Sequence, residues 1–302
     1  MGNAIGAVDG VIEPDDPVDA VPGPPLPLGR RIELPGRGTT FARCIPGPTD
    51  APTVVLVHGW LASGGLNWFQ TFDSLRGRYG VVAPDLRGHG RGIRSRRRFR
   101  LADCADDLAA LIDHLGCGPV VVVGYSMGGP VAQLLWRRHR DHVAGLVFVA
   151  TSSSFVAGMR ERFIFTSAMA AAAGGTRAGQ QVTRLPIRAV RERIPTDAPG
   201  RPASMGRWAA AEMRRHNIRT VLEAGQAVGN YNARRWVGDI DVPTTCVVTT
   251  KDLAIKPSEQ GRLAFAIPGA TVHRLEDGHT ACARPGFGEP IRSAVDVVAA
   301  RL

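Results

Sequence analysis

Four consecutive valines, Val120 to Val123, run directly into Gly124-Tyr125-Ser126-Met127-Gly128-Gly129-Pro130. Few folds accommodate that order. A strand apolar at every position has no solvent-facing side, so it belongs inside a sheet covered by helices on both faces. The glycines two positions either side of Ser126 let a strand and a helix approach closely across a sharp turn. Pro130 suits a helix's first turn, where its missing N–H has no partner to lose. The G-x-S-x-G pattern occurs once in the chain, and its setting between a strand and a helix makes Ser126 a candidate nucleophile.

The surrounding texture agrees with a parallel sheet. Pro52 to Val57 is a continuous run of strand formers, and Val81 to Pro84 is a second, shorter one. Leu101 to Leu115 places Leu101, Cys104, Leu108, Leu111, Ile112 and Leu115 on one helical face. Val143 to Thr151 and Thr244 to Thr250 predict further strands, Pro257 to Ala266 a helix, Thr271 to Leu275 a strand, and the last stretch a helix ending at Leu302. Strands alternating with helices make an α/β fold. Residues 152–238 interrupt the rhythm. Rich in Ala and Arg, they predict a helical insertion, with the core formed by 31–151 and 239–302. Residues 1–30, dense in Pro and Gly and without apolar periodicity, predict a disordered extension.

A serine hydroxyl becomes nucleophilic only when a base takes its proton. On a fold of this kind the base comes late in the chain, and His273 and His279 are the only histidines after His216. His273 lies within a strand pattern. His279 lies on the loop beyond it, at the strand end where open α/β sheets build their sites, and is the better candidate. The imidazole needs a carboxylate to hold its tautomer. Asp252 directly follows a strand at the same sheet edge, whereas Asp239 and Asp241 precede that strand and fall at the opposite edge; Asp277 is expected to cap its loop or face solvent. Acyl transfer also needs donors for an oxyanion. The backbone N–H of Met127, next to the serine, is one candidate, and that of Trp60, in the loop after Val57, is the other.

These segments together resemble the α/β-hydrolase superfamily, in its bacterial esterase, lipase and haloperoxidase-like branch. His58-Gly59-Trp60 resembles the family's oxyanion loop, and Asp85-Leu86-Arg87-Gly88-His89-Gly90 is similar to the segment after its fourth strand. Gly124 to Gly129 resembles its nucleophile elbow, Asp252 its acid and His279 its histidine loop. The likeness covers about residues 31–302. It implies an eight-stranded, mostly parallel sheet with helices on both faces, and 152–238 as a helical cap over the site. It also implies a structural role for His89, and it disfavours epoxide hydrolysis or dehalogenation, whose enzymes use an aspartate where this chain has Ser126. One departure is Leu253-Ala254-Ile255-Lys256-Pro257 after the acid, where relatives often carry a second charge before a Val-Pro pair. The expected chemistry is cleavage of a small carboxylic ester or related acyl substrate. Perhydrolysis, C–C bond hydrolysis or a catalytically silent binding module on the same fold are the alternatives. A dinucleotide-binding reading fails for want of G-x-G-x-x-G.

Composition bounds the rest. No apolar run is long enough to span a membrane, no basic-then-apolar leader opens the chain, and five cysteines without paired spacing argue against disulfides or zinc. A cytoplasmic protein without metal or cofactor is expected. The formal net charge is +10, but only Lys251 and Lys256 are lysines among 37 basic residues. That arginine bias reads as codon usage, and no nucleic-acid partner is expected. The five arginines within Arg94 to Arg100 read as a solvated patch, and Cys282 as a small apolar filler. The insertion, however, holds fourteen arginines against five acids, so a basic cap facing an anionic substrate or lipid surface is a further expectation.

Overall fold

The computed structural model describes residues 23–155 and 203–302, with the isolated positions 167 and 169. Eight strands form one sheet in the order β1-β2-β4-β3-β5-β6-β7-β8. In chain order these are β1 (Gly29–Leu34), β2 (Gly38–Ile45), β3 (Thr53–Val57), β4 (Gly80–Pro84), β5 (Val120–Tyr125), β6 (Val143–Val149), β7 (Thr244–Thr249) and β8 (Thr271–Leu275). From β4 to β8 every neighbouring pair is parallel, while β1 and β2 join antiparallel at one edge.

The valine run explains the centre. Side chains alternate across a strand, so Val120 and Val122 enter one apolar cluster while Val121 and Val123 enter the other. The first cluster is closed by α3 (Leu101–Leu115), α4 (Gly128–Arg138) and α7 (Pro257–Ala266). The second is closed by α1 (Gly64–Trp68), α2 (Phe72–Leu75) and α8 (Gly288–Ala299). Each fully buried valine contributes about 1.5–3 kcal/mol of transfer free energy, and both faces of β5 draw on it. The helix α3 ends at Gly116, whose φ of 58° is the left-handed cap that glycine adopts at low cost.

One expectation needs correction. The disordered extension was expected to reach residue 30, but Gly29 and Arg30 pair with Arg43 and Ala42 in the β1–β2 ladder. Just before it, the Arg43 guanidinium donates to the Pro27 carbonyl at 2.6 Å. Strand pairing supplies an order that Pro- and Gly-rich composition does not signal. Residues 1–22 lie outside the described residues.

The five arginines from Arg94 to Arg100 are exposed, as expected, but the stretch also docks against its neighbours through its backbone and two of its side chains. Between β6 and β7 lie α5 (Ala203–Arg214) and α6 (Ile218–Asn230), and the stretch holds both. Arg94 donates to the carbonyls of Gly88, Gly90 and Arg215. Arg98 bonds the Gln226 side chain, and the Phe99 amide donates to Glu223 at 2.8 Å. Glu223 and Glu212 are both buried, so the acids of these helices turn inward onto the core. Most of the remaining insertion, including eight of its fourteen arginines, lies outside the described residues.

Candidate active site

Ser126 stands at the carboxyl end of β5 with φ of 50°, a left-handed conformation that costs a non-glycine residue roughly 1–3 kcal/mol. Its own peptide groups hold it there. The Ser126 amide donates to Val149 O at 3.0 Å, and its carbonyl accepts from the Gly129 amide at 2.9 Å and from the Thr151 hydroxyl at 2.7 Å. The flanking glycines are required sterically. A Cβ on Gly128 would stand 2.2 Å from the Val57 carbonyl oxygen, and one on Gly124 would stand 2.6 Å from the carbonyl oxygen of Gly128. The turn therefore points the serine side chain off the sheet edge and starts α4 one residue beyond Met127.

The other two sequence-predicted side chains meet Ser126 there. Ser126 Oγ lies 2.9 Å from His279 Nε2, and His279 Nδ1 lies 2.8 Å from Asp252 Oδ2. Asp252 follows β7 and His279 follows β8, so three parallel strands deliver the three groups at one edge. The Asp252 side chain is fully buried and the His279 ring is partly exposed. The carboxylate is saturated with donors. Oδ1 accepts the amides of Ala254 and Ile255 at 2.8 and 2.9 Å, and Oδ2 accepts the Thr249 hydroxyl at 2.8 Å and the Gln260 amide at 3.2 Å. Burial pushes the Asp252 pKa up, but the hydrogen bonds from His279, Ile255 and Thr249 outweigh it and hold the carboxyl below its ordinary range. The loop that departed from the family pattern thus supplies two of the acid's amide donors.

Asp277 is bound elsewhere, pairing with Arg284 at 2.9 Å and accepting the Gly278 amide. Asp241 sits beyond the opposite end of the strands and accepts from Trp136 and Arg140. His273 lies within β8.

Of the two residues whose amides are expected to stabilise an oxyanion, Met127 follows the serine directly and Trp60 belongs to the loop beside it. Met127 is the residue immediately before α4, so its N–H belongs to the positive end of that helix. The Gly59-Trp60 loop abuts Ser126 closely enough that a Cβ on Gly59 would stand 3.3 Å from Ser126 Cβ. Asn67 accepts the Gly59 amide at 2.9 Å and fixes this loop. Trp60 is clamped from above by α6. Its indole N–H donates to Val221 O at 2.8 Å, and the ring fills the space that a side chain at Gly225 would occupy.

Residue-by-residue reading missed several supports. Gln260 and Thr249 position the acid, and Gln260 also accepts the Thr249 amide at 3.0 Å and donates to Ile255 O at 2.7 Å. Tyr125 donates its hydroxyl to the His279 carbonyl at 2.6 Å, tying the histidine loop to the elbow. Thr151 braces the Ser126 carbonyl as described. None carries a sequence signal beyond its proximity to the motif. Cys282 is raised to about 11 chiefly by burial, so its thiol stays protonated at neutral pH, as suits a filler.

Next to the Gly59-Trp60 loop runs a column of imidazoles, of which His58 and His89 are fully buried and His216 half-buried. The rings of His58 and His89, and of His89 and His216, are each 5.4 Å apart between centroids. His58 Nδ1 donates to Gly59 O at 2.7 Å and its Nε2 accepts the Leu86 amide at 2.9 Å, which fixes a neutral tautomer. Burial lowers its pKa to about 3. His89 is likewise held well below its ordinary value by burial and by the neighbouring imidazoles. Both are structural in this arrangement.

An elbow serine, late histidine and buried acid at the carboxyl edge of a mostly parallel sheet define the α/β-hydrolase class. Residues 52–283 match the family model for the alpha/beta hydrolase fold, and the chain belongs to that family. Among curated proteins it is 41% identical over 87 residues to the magnesium-chelatase 30 kDa subunit of Rhodobacter capsulatus, covering 28% of this chain and 30% of that one. It is 39% identical over 106 residues to a bifunctional esterase/perhydrolase of Acinetobacter calcoaceticus, covering 34% of this chain and 38% of that one. The chain thus spans well under half the length of these relatives. A crystal structure of a hydrolase from Pseudomonas aeruginosa shares the fold with a TM-score of 0.68 at 22% identity, over 88% of this chain and 96% of that one.

Proposed function

We propose that this chain is a serine hydrolase that cleaves a carboxylic ester, or a related acyl substrate, through an acyl-enzyme on Ser126. The observation that carries the reading is the continuous relay from Ser126 Oγ to His279 Nε2 at 2.9 Å and from His279 Nδ1 to Asp252 Oδ2 at 2.8 Å. Asp252 stays ionised and accepts a hydrogen bond from the Nδ1–H of His279, which leaves the Nε2 lone pair facing the hydroxyl. As Oγ attacks the acyl carbon, Nε2 takes its proton, and the oxyanion forms between the amides of Met127 and Trp60. His279 then returns that proton to the departing alcohol, and a water activated by the same imidazole releases the acid. Each backbone donor of this kind is worth about 2.7–4 kcal/mol of barrier.

Residues 31–151 and 239–302 form the catalytic core in this reading, and 152–238 form a cap that selects the substrate. The contact of α6 with Trp60 supports placing part of that segment over the site. The cap's charge favours a small substrate carrying negative charge, or an anionic lipid surface. A cytoplasmic setting suits the five free thiols. Among the described residues no helix is long and apolar enough to cross a membrane.

A second reading shares the acyl-enzyme. The Acinetobacter relative is named an esterase/perhydrolase, and hydrogen peroxide in place of water would release a peracid from the same intermediate. A panel of p-nitrophenyl esters of rising acyl length, assayed with and without peroxide, separates the two by product. Vesicle sedimentation and a salt series with charged and neutral esters test the cap. Absence of turnover on every ester, with the protein folded, would overturn the proposal.

A further inference from the structure

Gly225 stands inside α6 and is buried, at a position where a helix ordinarily packs a side chain. A glycine there weakens a helix relative to alanine, because its backbone loses more freedom on folding. The space a methyl group would fill is taken by Trp60. A Cβ on Gly225 would stand 2.7 Å from Cζ2 of the indole and 3.3 Å from its Cε2. The indole N–H meanwhile donates to the Val221 carbonyl at 2.8 Å. In a helix that carbonyl faces the residue four places on, which here is Gly225. The missing side chain is what lets the ring seat on the helix.

Trp60 carries one of the two amides proposed for the oxyanion, on a tight turn with little freedom of its own. The Ala62 amide donates to Gly59 O at 3.3 Å across it, and Leu61 inside it has φ of 62°. A leucine keeps that left-handed conformation only where its surroundings impose it. Two helices of the insertion supply part of that constraint. The indole's acceptor belongs to α6, and Glu212 of α5 accepts the Ser63 hydroxyl at 3.0 Å. Ser63 also caps α1 by accepting the Leu66 amide. The turn is therefore fixed between the start of α1 and the seated indole.

We propose that Gly225 and Val221 are positioning residues for acyl transfer: they seat the Trp60 indole and thereby aim the Trp60 backbone N–H at the oxyanion. This role rests on the acyl-enzyme chemistry proposed above. The indole and the amide share one Cα, so a ring pushed off α6 turns the peptide that carries the donor. A hydrogen bond to a developing charge depends steeply on that aim. Binding of the uncharged ground state depends on it much less, so the loss falls on kcat rather than KM.

Gly225→Ala, assayed on an activated ester, tests this. Its kcat is expected to fall by roughly 10- to 100-fold, part of the roughly 10²–10³-fold attached to a whole donor, with KM within about twofold of wild type. Trp60→Phe keeps the backbone amide but lacks the indole N–H and the outer part of the ring, and a similar fall is expected. Adding Gly225→Ala to Trp60→Phe is expected to lower kcat by less than about twofold more, because two residues acting through one contact are not additive. Gly206→Ala makes the same change in α5, where a Cβ meets nothing within 4 Å, and is expected to leave kcat unchanged. Nuclear magnetic resonance of protein carrying isotope-labelled tryptophan reads the seat without turnover. The indole signal missing from Trp60→Phe is expected to shift in Gly225→Ala and to stay in place in Gly206→Ala. Wild-type turnover with undiminished kcat in Gly225→Ala, additive losses in the double variant, or an unmoved Trp60 signal would overturn the proposal. No turnover by the folded wild type, with that signal still shifting, would overturn the acyl-enzyme reading and this role with it.

Discussion

Mild acid should destabilise this protein well above the pH at which carboxylates titrate, because of the imidazoles beside the Gly59-Trp60 loop. His58 is fully buried with its pKa lowered to about 3, and fully buried His89 is held well below its ordinary value. A histidine whose folded pKa is depressed contributes stability that is intact above its unfolded pKa and is lost as pH falls beneath it, until the folded group itself takes a proton. The window therefore opens at about pH 6.5, where an unfolded histidine protonates, and extends down towards the folded value of His58. Between about pH 7 and about pH 5 the unfolded chain gains nearly one proton at His58 and the folded chain none, which amounts to about 2 kcal/mol, a sizeable part of a typical folding free energy. His89, lowered by burial and by the neighbouring imidazoles, and His216, lowered by burial, add to the fall in the same direction. Urea unfolding at the two pH values and constant ionic strength measures it. His58→Gln should reduce the difference between the two pH values by about 2 kcal/mol, whatever its own cost at neutral pH. A stability change below about 1 kcal/mol over this range would refute the assignment of these rings as buried and neutral.

Three further outcomes follow from the support of the site. Gln260→Leu removes a donor from Asp252 and three bonds with Thr249; kcat on an activated ester should fall by about tenfold, as for about 1.4 kcal/mol of lost positioning, with KM little changed. Gly128→Ala drives a methyl into the Val57 carbonyl and should cost about 1–3 kcal/mol in unfolding experiments, together with most activity; wild-type behaviour would contradict the packing of the elbow. Asp252→Asn should leave folding intact and cut turnover by up to about 10⁴-fold by favouring the wrong imidazole tautomer, whereas a comparable loss in Asp277→Asn alone would move the acid to that loop.

The sheet was legible where strands are apolar on both faces or bounded by turns. Leu101–Leu115, Pro257–Ala266 and Thr271–Leu275 form as their patterns require, and the four valines mark the centre. The edge was not. In β1 only Ile32 and Leu34 are buried on the inward side of the strand beyond Gly29, too short an alternation to stand out beside a Pro-rich tail. Ser126, His279 and Asp252 could be placed because chain order and strand ends constrain them, and they do meet. Gln260, Thr249 and Tyr125 could not, because a polar residue on an ordinary helix or strand acquires its role only from what the fold brings against it. The stretch from Arg94 to Arg100 shows the same limit: one-dimensional charge density marks it, but the Arg215 carbonyl and the buried Glu223 that meet it come from more than a hundred residues away.

The claim on which the rest depends is that Ser126 is an activated nucleophile. Incubation with a fluorophosphonate, followed by intact-mass and peptide analysis, addresses it without knowledge of the substrate. The account predicts a single adduct on the peptide containing Ser126, absent in Ser126→Ala and formed much more slowly in His279→Ala. Undiminished labelling in Ser126→Ala, or none in the folded wild-type protein, would contradict it.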